Sequence, residues 1–186
     1  MPHPEFAARL VLDTNVWLDW LVFADAGIAP IRRDVMAQRA IVFLSVACRE
    51  ELARVLGYPL SGRALNGAAQ TAALAQCDAV ARYADNITEA HRLPSLPRCA
   101  DPDDQKFLEL ARDCRADALI TKDGALLVLA TRKVQPLPFR IVTPGDYAGD
   151  GPAQEAHTAA TRRTKRLPVL SHSKNIVSKQ IDKRNP

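Results

Sequence analysis

Four acidic residues of this chain, Asp13, Glu51, Asp104 and Asp123, stand where a sequence can place chemistry. Leu10-Val11-Leu12 runs straight into Asp13, and Asp123 follows Ala118-Leu119-Ile120-Thr121 within two residues. A carboxylate directly after a continuously apolar strand falls at the carboxyl edge of a parallel sheet, where such sheets bind ligands. Each acid also has a plainer reading, Asp13 as a turn residue and Asp123 as the cap of a helix starting at Gly124.

Helical periodicity separates the adjacent acids Glu50 and Glu51. Cys48, Leu52, Val55 and Leu56 define an apolar stripe, and Glu51 lies roughly 85° from its centre while Glu50 lies roughly 175° away. Glu50 therefore points to solvent, and Glu51 can enter a cleft or pair with Arg49 or Arg54. Asp104 precedes the apolar residues Phe107, Leu108, Ala111 and Cys114 by three, four, seven and ten positions, so it sits on their stripe. A carboxylate on a buried face needs a partner or a metal, because burying an isolated charge is costly. The alternative is a capping box, with Asp101 as N-cap and Asp104 in the third helical position.

Brought to one rim, the four acids would raise each other's proton affinity unless a cation neutralised them. Hard oxygen donors suit Mg2+ or Mn2+, ions that activate water and stabilise a leaving oxygen in phosphodiester cleavage. No His or Cys belongs to the set, which argues against zinc.

The elements that must position these acids alternate. Leu10 to Leu12 reads as a buried strand, followed by an almost wholly apolar helix from Val16 to Phe23 capped by Asn15 and broken at Gly27 and Pro30. A short charged helix spans Ile31 to Arg39. Ala40 to Leu44 is a second strand, and Ser45 caps a helix through Leu56. Arg63 to Ala84 reads as a long helix or helical hairpin, and Pro94 and Pro97 mark an irregular connection. Asp101-Pro102 opens a helix to about Cys114. Ala118 to Thr121 and Phe139 to Val142 are the third and fourth strands, with a short helix from Gly124 to Ala130 between them and a turn starting at Pro144. The alternation predicts a mostly parallel α/β sheet.

Composition narrows the class. The chain has 186 residues, 47% hydrophobic and 25% charged, enough for one globular domain with a core. Its net charge of +4 is unevenly placed: residues 149–186 hold eight Lys/Arg and three Asp/Glu, which leaves residues 1–148 at −1. The expected organisation is a folded body over 1–148 and a flexible basic tail over 149–186, a kind of segment more often solvated than bound to a phosphate. Cys48, Cys77, Cys99 and Cys114 show no metal-ligand spacing and read as reduced thiols. Without a signal-peptide pattern or a membrane-length apolar run, the expected location is the cytoplasm.

Taken in order, these blocks resemble PIN-domain ribonucleases, particularly the VapC-like toxin components of bacterial toxin–antitoxin pairs. The resemblance is carried by Leu12-Asp13-Thr14-Asn15-Val16, by Ser45 through Glu51-Leu52, by Asp101-Pro102-Asp103-Asp104 with Phe107-Leu108 and Ala111, by Ala118-Leu119-Ile120-Thr121-Lys122-Asp123, and by Pro144-Gly145-Asp146-Tyr147. It covers about residues 9–148. It implies a Rossmann-like three-layer α/β/α sandwich and Mg2+- or Mn2+-dependent endonucleolytic cleavage of RNA, leaving 5′-phosphate and 3′-hydroxyl ends. It assigns catalytic and metal-binding roles to Asp13, Glu51, Asp104 and Asp123, and supporting roles to Asn15 and Thr121. Asp101 matches a further acid of this subgroup, although an N-cap explains it equally well. The tail is a departure from the pattern.

Other chemistries fit less well. A haloacid-dehalogenase-type phosphatase needs a second Asp two residues after the first, and that position is Asn15. A dinucleotide enzyme needs a Gly-rich turn after the first strand, and none is present. A catalytically silent module of the same fold, binding RNA or protein, remains the alternative. The Val16–Phe23 segment, with Trp17 and Trp20, is apolar enough to predict a partner, either a second copy in a homodimer or a small antitoxin protein.

Overall fold

Three short apolar runs build the centre of a parallel sheet, because each is hydrophobic on both faces and can be covered by helices on both sides. The computed structural model describes residues 7–60, 62, 64–84, 94–131 and 136–147, and the basic segment 149–186 lies outside the described residues. β1 (Ala8–Leu12) has four of its five residues buried. It leads through Asp13 into α1 (Thr14–Leu18), which continues as a wider π turn over Asp19–Phe23 and ends at Ala24 in the left-handed conformation. The helix begins one residue before Asn15, so Asn15 is not its cap and its side chain is free for other work.

A 3-10 turn at Ala26–Ile28 leads into α2 (Ala29–Met36). Pro30 lies in the first turn of α2, where a proline's missing N–H costs nothing, so it starts this helix as well as ending the segment before it. β2 (Ala40–Leu44) and α3 (Val46–Leu56) have the bounds expected, with the Ser45 hydroxyl accepting from the Cys48 N–H at 3.2 Å. α4 (Gly67–Val80), capped by Asn66, replaces the expected longer helix. The chain then passes directly into β3 (Ala81–Tyr83), a strand that the helical reading of this stretch conceals.

A 3-10 turn over Pro102–Asp104 leads into α5 (Gln105–Asp113), followed by β4 (Ala118–Ile120), α6 (Gly124–Leu127), β5 (Arg140–Val142) and a closing turn at Pro144–Asp146. The sheet is therefore five-stranded rather than four-stranded, in the order β3-β2-β1-β4-β5, with every pairing parallel. Helices flank it: α5 packs on β1 and β4, α2 on β2, and α3 against α1, α4 and α5. This is the expected α/β/α sandwich.

Strand order runs one way from β1 to β2 and β3 and the other way from β4 to β5. The reversal lies between β1 and β4, and the crevice at the carboxyl ends of such a pair is where open α/β sheets bind ligands. Trp17 and Trp20 are both buried in the chain's own core, with ring centroids 5.7 Å apart. The segment's apolar character is thus largely spent internally, and only its end, with Phe23 at 45% exposure, reaches solvent. Among the described residues no helix is long and apolar enough to cross a membrane.

Candidate active site

Asp13 follows β1 at the reversal point. Its N–H donates to the Ile120 carbonyl at 3.0 Å, tying the end of β1 to the end of β4. Its side chain is buried, at 4% exposure, and Oδ2 accepts from Asn15 Nδ2 at 2.6 Å and Thr121 Oγ1 at 2.5 Å. Both donors are fixed in turn. Asn15 Oδ1 accepts from the Lys122 N–H at 3.2 Å, and Thr121 Oγ1 accepts from the Asp123 N–H at 2.8 Å. Burial pushes the Asp13 carboxyl up, the hydrogen bonds from Thr121 and the Thr14 backbone oppose that, and the charges of Glu51 and Asp123 add to it.

Asp123 caps α6, and both cap hydrogen bonds, from Ala125 N at 2.6 Å and Leu126 N at 3.3 Å, fall on Oδ1. Capping and membership of the acidic group are thus compatible. Glu51 is half-buried on α3 whereas Glu50 is exposed, as the helical angles require. Its partners are not Arg49 or Arg54. Glu51 Oε1 accepts from Thr14 Oγ1 at 2.7 Å, and Oε2 pairs with the Lys106 ammonium. Arg49 instead grips Asp78 through two bonds of 2.7 Å.

Asp104 ends the 3-10 turn before α5. Asp101 caps that turn, its Oδ1 accepting from the Asp103 N–H at 2.9 Å, while the Asp104 side chain caps nothing. Among the described residues no hydrogen bond or ion pair reaches the Asp104 carboxylate. Its carboxyl is pushed up to about 6, first by desolvation and then by the charges of Asp13, Asp123, Asp101 and Glu51. Four chain segments thus bring Asp13, Glu51, Asp104 and Asp123 within electrostatic reach of one another. Asp101 contributes from the exposed edge.

The chemistry of this donor set fits a hard divalent cation: it is all oxygen, its charges repel, and Asp104 has no donor among the described residues to relieve it. As placed, however, no group of three or more His, Cys, Asp or Glu side chains among the described residues is disposed to hold a metal ion. The hydrogen bonds above explain that disposition, since Thr14 and Lys106 engage both oxygens of Glu51 and the α6 cap engages Asp123. Glu51 is held by the side chains of Thr14 and Lys106, Asp123 by backbone N–H groups on one oxygen, and Asp104 by no donor among the described residues.

Further participants leave no signal in the sequence. Lys106 and Thr14 meet Glu51 only through tertiary packing, and no local spacing announces them. Buried Asp19 pairs with Lys122 Nζ at 2.6 Å, holding the segment between Thr121 and Asp123 against the π turn. Burial pushes the Cys99 thiol up, and the charges of Asp104 and Asp123 add to it. All four cysteines are free and buried.

A family model described as PIN domain matches residues 9–125, well over half of the chain and inclusive of all four acids. Comparisons with curated proteins and with solved structures give no match.

Proposed function

The chain belongs to the PIN-domain family, and from that premise we propose that it is a Mg2+- or Mn2+-dependent endoribonuclease, the toxin of a toxin–antitoxin pair. PIN domains are nuclease-type domains, generally metal-dependent hydrolases. The observation that carries the finer reading is Asp104: a carboxylate without a hydrogen-bond donor among the described residues, pushed up first by burial and then by four neighbouring acids at the strand-order reversal. Such an arrangement costs stability, and a cation entering it would relieve the repulsion.

The residues divide the work. Asn15 and Thr121 hold the Asp13 carboxylate in one orientation, so that its position at the sheet edge is set before substrate arrives. Thr121 also carries the loop to Asp123, coupling the two acids through one hydroxyl. Glu51 and Asp104 approach from α3 and the start of α5. A bound divalent ion supplies charge neutralisation at the phosphodiester and lowers the proton affinity of water.

Incubating the protein with RNA and Mn2+ tests this, with end analysis of the products. The reading expects 5′-phosphate and 3′-hydroxyl ends and no products in EDTA. The second reading, a silent RNA- or protein-binding module, draws on the Lys106–Glu51 ion pair within the site. RNA retention without cleavage under the same conditions favours it. For partners we propose a small antitoxin and a second copy of the chain, supported now by the Leu21–Phe23 turn rather than by the tryptophans.

A further inference from the structure

Lys106 stands in the first turn of α5, two residues beyond Asp104. Its ammonium pairs with Glu51 Oε2, and the two side chains are 23% and 15% exposed. The same nitrogen donates to the Asp103 carbonyl and lies 5.2 Å from the centroid of the Phe107 ring. The protein thus places a positive charge within a group of carboxylates that repel one another. Cations nearer to Glu51 in sequence are not used, because Arg49 binds Asp78 and Arg54 is exposed.

We propose that Lys106 is a tethered counter-cation of the acidic site: it holds Glu51 in the metal-free protein, and a divalent ion entering the site must displace it. This rests on the metal-dependent reading given above. A lysine head is a compact charge on a flexible four-carbon stem, so it can leave Glu51 without moving the helix that carries it. With Thr14 on Oε1 and Lys106 on Oε2, Glu51 has no oxygen free of a protein partner until one of them gives way. Two cations on one carboxylate repel, so the charge at position 106 and ion binding are negatively coupled, and the coupling is reciprocal. Lys106 is a positioning residue in this account.

The test is Mn2+ binding to the full chain, followed by the paramagnetic resonance signal of free Mn2+, with no RNA present. Lys106→Gln is expected to bind Mn2+ about five- to tenfold more tightly than wild type, at the lower end for such couplings because the pair is partly solvated. Lys106→Arg, which keeps the charge, is expected to stay within about twofold of wild type. Arg54→Gln removes an exposed cation three residues from Glu51 on the same helix, and is also expected to stay within about twofold. Equal or weaker binding by Lys106→Gln, with wild type binding normally, overturns the proposal and leaves the metal-dependent reading intact. Equal tightening by Arg54→Gln overturns it in favour of a general field effect. Absence of wild-type binding at millimolar Mn2+ overturns both. Should Lys106→Gln fail to fold by circular dichroism, Lys106→Met repeats the comparison with most of the stem retained.

Discussion

At Asp104 three influences act in the same direction: partial burial, the absence of a donor among the described residues, and four acids nearby. The carboxyl titrates at about 6 in the folded chain against 3.8 in its ordinary state, so between those pH values the folded state binds more protons than the unfolded state. Stability in the absence of metal therefore falls as pH rises through that window, and the penalty is complete above it. Asp104→Asn is expected to flatten this slope and to raise the neutral-pH melting temperature in EDTA, by on the order of 2 °C after solvent screening. Melting curves of both proteins at pH 4 to 7 check it, and parallel slopes would contradict it. Much of this residue-level picture was legible beforehand. Periodicity alone separates Glu51 from Glu50 and puts Asp104 on the apolar stripe of its helix. The partners of Glu51 were not legible, because Thr14 and Lys106 are brought to it from other elements, and neighbouring Arg49 is drawn off by Asp78.

Elements were legible where an apolar run stands between clear breakers, as in β2 between Arg39 and Ser45. β3 shows the opposite case: Ala81-Arg82-Tyr83 is short, lies at the sheet's edge, is only partly buried, and follows α4 without a Gly or Pro to end the helix. The start of α1 also misled, because Asn15 is a favourable cap in composition but is needed as a donor to Asp13. Outside the site, the buried Asp34 of α2 is held by Arg39 and by the Tyr147 hydroxyl at 3.1 Å, which fastens the end of the described domain to that helix. Tyr147→Phe removes one hydrogen bond to a charged group while Arg39 stays. A loss of about 1–2 kcal/mol is expected in urea unfolding, with RNA cleavage unchanged. A stability equal to wild type would show that this bond holds nothing together.

For the whole molecule, the order of strands decides what the acids can do. Sequence supplied the parallel sheet and the rule that its carboxyl edge binds ligands, but not that β1 and β4 would be neighbours at the reversal, where Asp13 and Asp123 come together. The two tryptophans that suggest self-association in the sequence both lie inside the chain's own core. The Leu21–Phe23 turn is the remaining apolar candidate, so Phe23→Ser is expected to weaken the proposed dimer about tenfold without lowering the melting temperature. Sedimentation of both proteins at micromolar concentration checks it, and a wild-type monomer contradicts the dimer. The central claim is that the four acids form one metal-dependent nuclease site. The most direct measurement is the rate of RNA cleavage in Mn2+ by wild type, Asp13→Asn and Asp104→Asn. The account predicts cleavage by wild type and a loss of about a hundredfold or more in each variant, a barrier increase of about 2.7 kcal/mol; equal rates in all three proteins would contradict it.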